Sequence, residues 1–126
     1  MKRLFFYLFL HLLTPYLFSQ ETEVPPDPYT TYEGLSQTLE HKPRNFYLVD
    51  CRTSTEFRAG HIPGALSVPV ERMYSYPPTR DLNAIIVLYC RFGNRSDRAR
   101  VILESMGYKN VHVFGKFINW KGLIVK

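Results

Sequence analysis

Ala84-Ile85-Ile86-Val87-Leu88-Tyr89 is a six-residue apolar run that stops at Cys90, and Arg91-Phe92-Gly93-Asn94-Arg95-Ser96 follows it. A run that is apolar at every position suits a strand covered on both faces, since a strand with one wet face would alternate. From Ser96 the period changes. Ala99, Ile102, Leu103 and Met106 share one face of a helix, and Gly107 stands where a helix end commonly needs a left-handed residue. The stretch reads as strand, tight loop and helix, the unit from which parallel α/β sheets are assembled.

Upstream, Phe46-Tyr47-Leu48-Val49 is a second continuous apolar strand, closing at Asp50. Thr53 and Glu56 have capping-box spacing for a brief helix ending at Gly60, and Gly64 to Val68 forms a short strand before Pro69. Thr30 and Glu33 repeat the capping-box spacing, with Leu35 and Leu39 on one face of a helix that closes before Pro43. Downstream, Val111 to Phe114 is a last strand and Phe117 to Trp120 a last helical turn. Strands alternating with helices predict an α/β domain over residues 30–126, with a largely parallel sheet and a ligand site beyond the carboxyl ends of the strands. Asp50 and Cys90 both fall at such ends.

A chain of 126 residues has room for one domain, and 45% apolar with 15% aromatic content argues against disorder. Lys2 and Arg3 are two of its 16 basic side chains, leaving 14 against 11 acidic ones, a weak positive bias that favours small anions. No dense Lys/Arg run is interleaved with aromatics, so no nucleic-acid groove is indicated. Lys2 and Arg3, the apolar stretch Leu4 to Phe18 broken by His11 and Pro15, then Ser19 and Gln20 have the order of a signal peptide over 1–19. Fifteen residues fall short of the roughly 20 a membrane-spanning helix needs. The expectation is cleavage near Ser19, a periplasmic or secreted product and no membrane attachment afterwards. Bulky Leu17 at the cleavage boundary leaves an uncleaved tether as the alternative. Residues 20–29, with three prolines, read as a flexible lead-in.

Two cysteines, Cys51 and Cys90, are too few for a disulfide framework and wrongly spaced for zinc. Around Cys90 the loop amides can turn inward while a helix N-terminus adds positive potential. In such settings a thiol pKa near 8.5 can fall to about 3.5–7.5. Arg91 and Arg95 add fixed positive charge, and Gly93 permits backbone geometry closed to larger residues. The competing reading is a small buried hydrophobe ending a strand. Two arginines and a glycine within five positions favour a reactive thiolate.

Asp50-Cys51-Arg52 with Glu56-Phe57, then Gly60-His61-Ile62-Pro63-Gly64-Ala65 and Val68-Pro69, resembles the first signature of the rhodanese-like (thiosulfate sulfurtransferase) family. Cys90-Arg91-Phe92-Gly93-Asn94-Arg95 is similar to that family's active loop, and Gly107-Tyr108, Val111, Gly115 and Trp120 fit its C-terminal pattern. The resemblance covers nearly all of the chain after the Pro-rich segment. It implies a three-layer α/β fold with a five-stranded, mostly parallel sheet flanked by helices. It also implies catalysis by Cys90, with Arg91, Phe92, Gly93, Asn94 and Arg95 forming the substrate loop. Sulfane sulfur would pass from thiosulfate or a persulfide donor, through a Cys90 persulfide, to cyanide or a thiol. No metal or other cofactor is called for. Lys116 stands where the family usually has a second glycine, so that either the backbone turn differs there or an exposed amine faces the rim of the site and affects substrate entry. Phe92 and Asn94 differ from the charged and hydroxyl residues of well-known thiosulfate-using relatives.

Asp50, Arg52, Glu56 and His61 are expected to support the site rather than react, with Arg52 pairing with Glu56 or another carboxylate and His61 bound to backbone in a turn. Cys51 reads as a small packed residue, the alternative being a bridge to Cys90 if their strands are neighbours. Phe46, Tyr47, Phe117 and Trp120 read as core. A cysteine phosphatase or arsenate reductase would need five residues between cysteine and arginine to ring an oxyanion, and here four intervene. A sulfur-relay or binding module with a protein partner would use the same Cys90, so it stays open.

Overall fold

The computed structural model describes residues 23–126. The signal peptide expected over 1–19 and the first residues of the lead-in lie outside the described residues. Among the described residues three α-helices, α1 (Tyr32–His41), α2 (Ser54–Ala59) and α3 (Asn94–Ser105), and four strands, β1 (Phe46–Asp50), β2 (Leu66–Ser67), β3 (Ile85–Cys90) and β4 (Val111–Lys116), follow in the order α1-β1-α2-β2-β3-α3-β4, with only a 3-10 turn, Val70–Arg72, between β2 and β3. The strand order is β2-β1-β3-β4 with every pair parallel.

Alternation along the central strands sends side chains into two separate cores. Val49, Ile86 and Leu88 point to the layer closed by Ala99 and Leu103 of α3, together with Val70, Met73 and Tyr108. Leu48, Val87, Tyr89 and Phe114 point the opposite way, where Leu35 of α1 and Ile62 complete the packing. The result is the expected three-layer α/β arrangement, with the buried apolar runs Phe46–Asp50 and Ile85–Cys90 at its centre.

The sheet has four strands among the described residues, where five were expected. Beside β4, the place open to a further edge strand is filled by a 3-10 turn, Pro28–Thr30, capped by Asp27. Pro25, Pro26 and Pro28 have no N–H with which to extend a ladder, so the segment packs through side chains instead. The Tyr29 ring lies 4.6 Å from His112 and 6.0 Å from Phe46, and Asp27 Oδ2 meets His112 Nδ1 at 2.6 Å. The lead-in therefore ends by Asp27 rather than at Tyr29. The cap of α1 is Thr31, whose side chain accepts from the Gly34 N–H, one residue later than the Thr30–Glu33 spacing suggests. The strand expected over Gly64–Val68 is confined to Leu66–Ser67.

β4 carries one extra residue opposite the break between Leu88 and Tyr89: Val113 pairs with Leu88, Gly115 with Tyr89, and Phe114 is the surplus. Gly115 takes φ 95°, a conformation that suits glycine in a bulge of this kind. The bulge brings Lys116 into register with Cys90.

Candidate active site

Cys90 ends β3, and Gly93 starts α3 as its N-cap in a left-handed conformation, φ 98°. Only Arg91 and Phe92 separate them, so the chain has to fold back over the sulfur within one turn. A glycine allows this because a Cβ at that φ is strained. The Gly93 N–H donates to Cys90 Sγ at 3.0 Å, the Ser96 N–H at 3.4 Å, and Ser96 Oγ stands at 3.5 Å. The sulfur therefore faces the open N–H groups of the first turn of α3, where the helix dipole is also positive. Burial pushes the Cys90 thiol up. That cost is overcome by the Ser96 hydroxyl and by the backbone N–H groups of Ser96, Gly93 and Arg95, so the net direction is down, toward a thiolate.

Ser96 was not among the sequence candidates, which treated it only as a helix start. It is fully buried, on the same stripe of α3 as Ala99 and Leu103, and a hydroxyl on an apolar stripe was the available signal. Its Oγ also donates to Gly93 O at 2.8 Å. A neutral Cys90 can therefore donate its S–H to Ser96 Oγ, and a thiolate can take the hydroxyl hydrogen in turn.

The two arginines do not sit on the sulfur. Arg95 is tied to Glu56, with contacts of 2.8 and 3.4 Å, and Arg91 lies exposed with its guanidinium 5.1 Å from the centre of the Phe92 ring. Asn94 is exposed at the first turn of α3. The shift in the Cys90 thiol thus comes chiefly from peptide dipoles and one hydroxyl, where fixed side-chain charge was expected to contribute.

The supporting residues form two separate units. The first is buried: Asp50 accepts from Arg52 Nε at 3.0 Å and Arg52 Nη2 at 2.7 Å, and Nη2 also donates to Gly60 O at 2.6 Å. The Arg52 guanidinium lies 4.1 Å from the centre of the Phe117 ring. Arg52 therefore pairs with Asp50 and not with Glu56, since Asp50 at the end of β1 is two residues away in a buried corner. The second unit joins α2 to the loop: Glu56 completes the capping box with Thr53 and holds Arg95. His61 presents Nδ1 to Phe57 O at 2.9 Å and stacks on the Phe57 ring, while its backbone pairs with Val125. These contacts are those of a turn histidine. Cys51 is free and fully buried next to the same site, with its thiol pushed well up by burial first and then by Cys90 and Asp50.

At the mouth, Arg91, Phe92, Phe117, Ile118, Trp120 and Ile124 line a hollow of about 430 Å³. Phe92 and Ile118 are 67% and 83% exposed, so the rim of a site built for an anion is largely apolar. Among the described residues no cluster of three or more His, Cys, Asp and Glu side chains is placed to hold a metal ion. No helix there is long and apolar enough to cross a membrane.

Residues 31–122 match the rhodanese-like domain family. A sulfurtransferase of Allochromatium vinosum is 38% identical over 97 residues, which cover 74% of this chain and 80% of that protein. A thiosulfate sulfurtransferase, GlpE, of Pseudomonas entomophila is 30% identical over 86 residues, covering 68% of this chain and 79% of the relative. Among solved structures, the human single-domain sulfurtransferase TSTD1 superimposes with a TM-score of 0.67 at 25% identity, over 77% of this chain and 99% of its own.

Proposed function

The chain belongs to the rhodanese-like domain family, and from that premise we propose that it is a sulfurtransferase carrying sulfane sulfur on Cys90 as a persulfide. The observation that carries this reading is the Cys90 Sγ held by the Gly93 and Ser96 N–H groups. A sulfur anion in that position is stabilised before any substrate arrives, which is what a nucleophile needs at neutral pH. With thiosulfate as donor, the thiolate attacks the outer sulfur, an S–S bond forms to Cys90, and sulfite leaves with the electron pair of the broken S–S bond. Cyanide or a thiolate then attacks the outer sulfur of the persulfide and restores the Cys90 thiolate. The outer sulfur of a persulfide would extend from the same first turn of α3, where the N–H groups and the helix dipole favour an anion, so little reorganisation is needed between steps. Glu56 keeps the Arg95 charge at the loop, where it can offset a departing anion.

Thiocyanate formation from thiosulfate and cyanide tests the reading, compared between the unaltered chain and Cys90→Ser. Equal rates would end it. Intact mass should show one added sulfur that a thiol reductant removes.

A second reading is a sulfur relay to a partner bearing a thiol, favoured by the apolar rim. Phe92, Ile118 and Ile124 are exposed large hydrophobic residues lining the hollow at the loop. Such a surface gains nothing from cyanide but suits an acceptor with apolar bulk. Higher turnover with bulky apolar thiols than with cyanide would favour it.

A further inference from the structure

Val49 of β1 and Leu88 of β3 are partners in the parallel ladder, and both face the α3 side of the sheet. Cys51 and Cys90 stand two residues further along the same two segments. Pairing continues past the end of β1, because the Cys51 N–H donates to Tyr89 O at 2.8 Å. Side chains alternate along a strand, so Cys51 follows Val49 and Cys90 follows Leu88 onto one face, and both thiols lie in the same buried cluster. Adjacent strands are about 4.8 Å apart, inside the window of about 4.4–6.8 Å between Cα atoms that a disulfide spans. Both cysteines are free. The sulfur-transfer steps use Cys90 alone and leave Cys51 without a task.

We propose that Cys51 is a resolving thiol, which captures Cys90 in an internal disulfide when a peroxide oxidises the active loop. The Cys90 thiolate attacks one oxygen of the peroxide, forming an S–O bond and breaking the O–O bond, so that the products are a sulfenic acid and hydroxide or an alkoxide. The Cys51 sulfur then attacks the Cys90 sulfur. An S–S bond forms, the S–O bond breaks, and the sulfenic hydroxyl leaves as water with the Cys51 proton. The two thiols together lose two electrons, and the peroxide gains them.

The position suits this task in two ways. Cys51 is shut away from solvent and kept protonated, so it does not compete with Cys90 for sulfur donors. The bridge needs Cβ atoms about 3.5–4.5 Å apart, a little closer than the strand spacing, so the two strand ends must draw together. A bond formed under that demand is readily reduced by small thiols. Turning the Cys90 sulfur toward Cys51 takes it from the Gly93 and Ser96 amides. The loop is then silent, but it is spared sulfinic and sulfonic acids, which thiols do not reverse.

The test uses the full chain, freshly reduced, with hydrogen peroxide as the probe. After peroxide, alkylation under denaturing conditions and digestion without reductant, mass spectrometry should find the Cys51 and Cys90 peptides linked, with both free thiols lost together and both recovered after a thiol reductant. In Cys51→Ala the same dose should carry Cys90 to sulfinic and sulfonic acid that reductant does not recover. The proposal is overturned if Cys90 of the unaltered chain is over-oxidised while Cys51 stays open to alkylation, or if the linkage joins two chains. The linked peptide is read on the unaltered chain, so poor folding of Cys51→Ala would not blunt the test. Neither readout depends on sulfurtransferase activity.

Discussion

Arg95 and Glu56, 39 positions apart in sequence, meet at 2.8 Å through Glu56 Oε2, the same oxygen that accepts the Thr53 N–H at 3.1 Å to close the cap of α2. One carboxylate thus links the start of a helix on one side of the site to the loop that holds Cys90. Burial opposes ionisation of this carboxyl. The Arg95 hydrogen bond outweighs it, helped by the Thr53 amide, and the group is held below the usual carboxylate range.

Glu56→Gln should therefore separate rate from stability. The pair is half-exposed, and such pairs contribute no more than about 1 kcal/mol, so urea unfolding near neutral pH should show a loss of that size or less. Sulfurtransferase turnover should fall further, because Arg95 loses its bearing on the loop. The sign with pH follows from a depressed folded value: the stabilisation is present above the unfolded carboxyl's pKa of about 4.3 and disappears as pH falls through the folded one. The two stability curves should converge in acid. A difference that grows in acid would contradict the pairing.

Ser96→Ala should raise the pH at which Cys90 becomes reactive. A hydrogen bond to a charged group contributes about 1.5–3 kcal/mol, and each pH unit corresponds to about 1.4 kcal/mol, so the midpoint of Cys90 alkylation against pH should move up by about one to two units. The unaltered thiolate is stabilised above the unfolded thiol's pKa of about 8.5, and that contribution is lost as pH falls through the depressed folded value. An unmoved midpoint would assign the depression to the backbone amides alone.

Asp50 and Arg52 are both buried, and Arg52 is shared among Asp50, Gly60 O and the face of Phe117. Removing one partner strands the other charge away from water, at a cost of about 3–5 kcal/mol. Asp50→Asn and Arg52→Met should each lower unfolding free energy by about that amount in chemical denaturation. The double variant should cost clearly less than the two single losses together. Strict additivity would mean that the pair is not coupled.

Much of this site could be read from residue pattern. The unbroken apolar runs at Phe46–Val49 and Ala84–Tyr89 set two buried strands, and a cysteine ending one of them before Gly93 marked the loop. The capping box at Thr53 and Glu56 was legible because both of its bonds lie within four residues. Partnerships across the fold were not. Glu56 with Arg95, 39 positions apart, depends on how α2 and the loop are brought together, whereas Arg52 with Asp50, two residues away, is one of the carboxylate pairings that the residue pattern left open. The turn at Pro28–Thr30 was hidden for a similar reason: proline-rich composition signals the lack of a ladder, while the docking of Tyr29 and Asp27 on His112 is a tertiary fact.

That turn leads to a prediction whose sign is opposite to the usual one. Replacing a helical glycine by alanine normally stabilises by roughly 0.5–1 kcal/mol through lost freedom in the unfolded chain. Gly34 lies in the first turn of α1, and a Cβ there would stand 1.9 Å from Pro28 O and 2.7 Å from Pro28 C. These are backbone atoms and cannot swing aside, so either α1 or the 27–30 turn must move. Overpacking of this kind costs about 1–3 kcal/mol, which exceeds the gain. Gly34→Ala should lower the thermal midpoint, and the turn, held mainly by Asp27 on His112 and Tyr29 on its ring, should be what gives way. Limited proteolysis should then cut near residues 24–31 well before the rest of the domain, and the His112 ring resonances should shift toward those of an exposed histidine. A variant that is more stable than the parent, with unchanged His112 resonances, would show that Pro28 does not pack on α1 in solution.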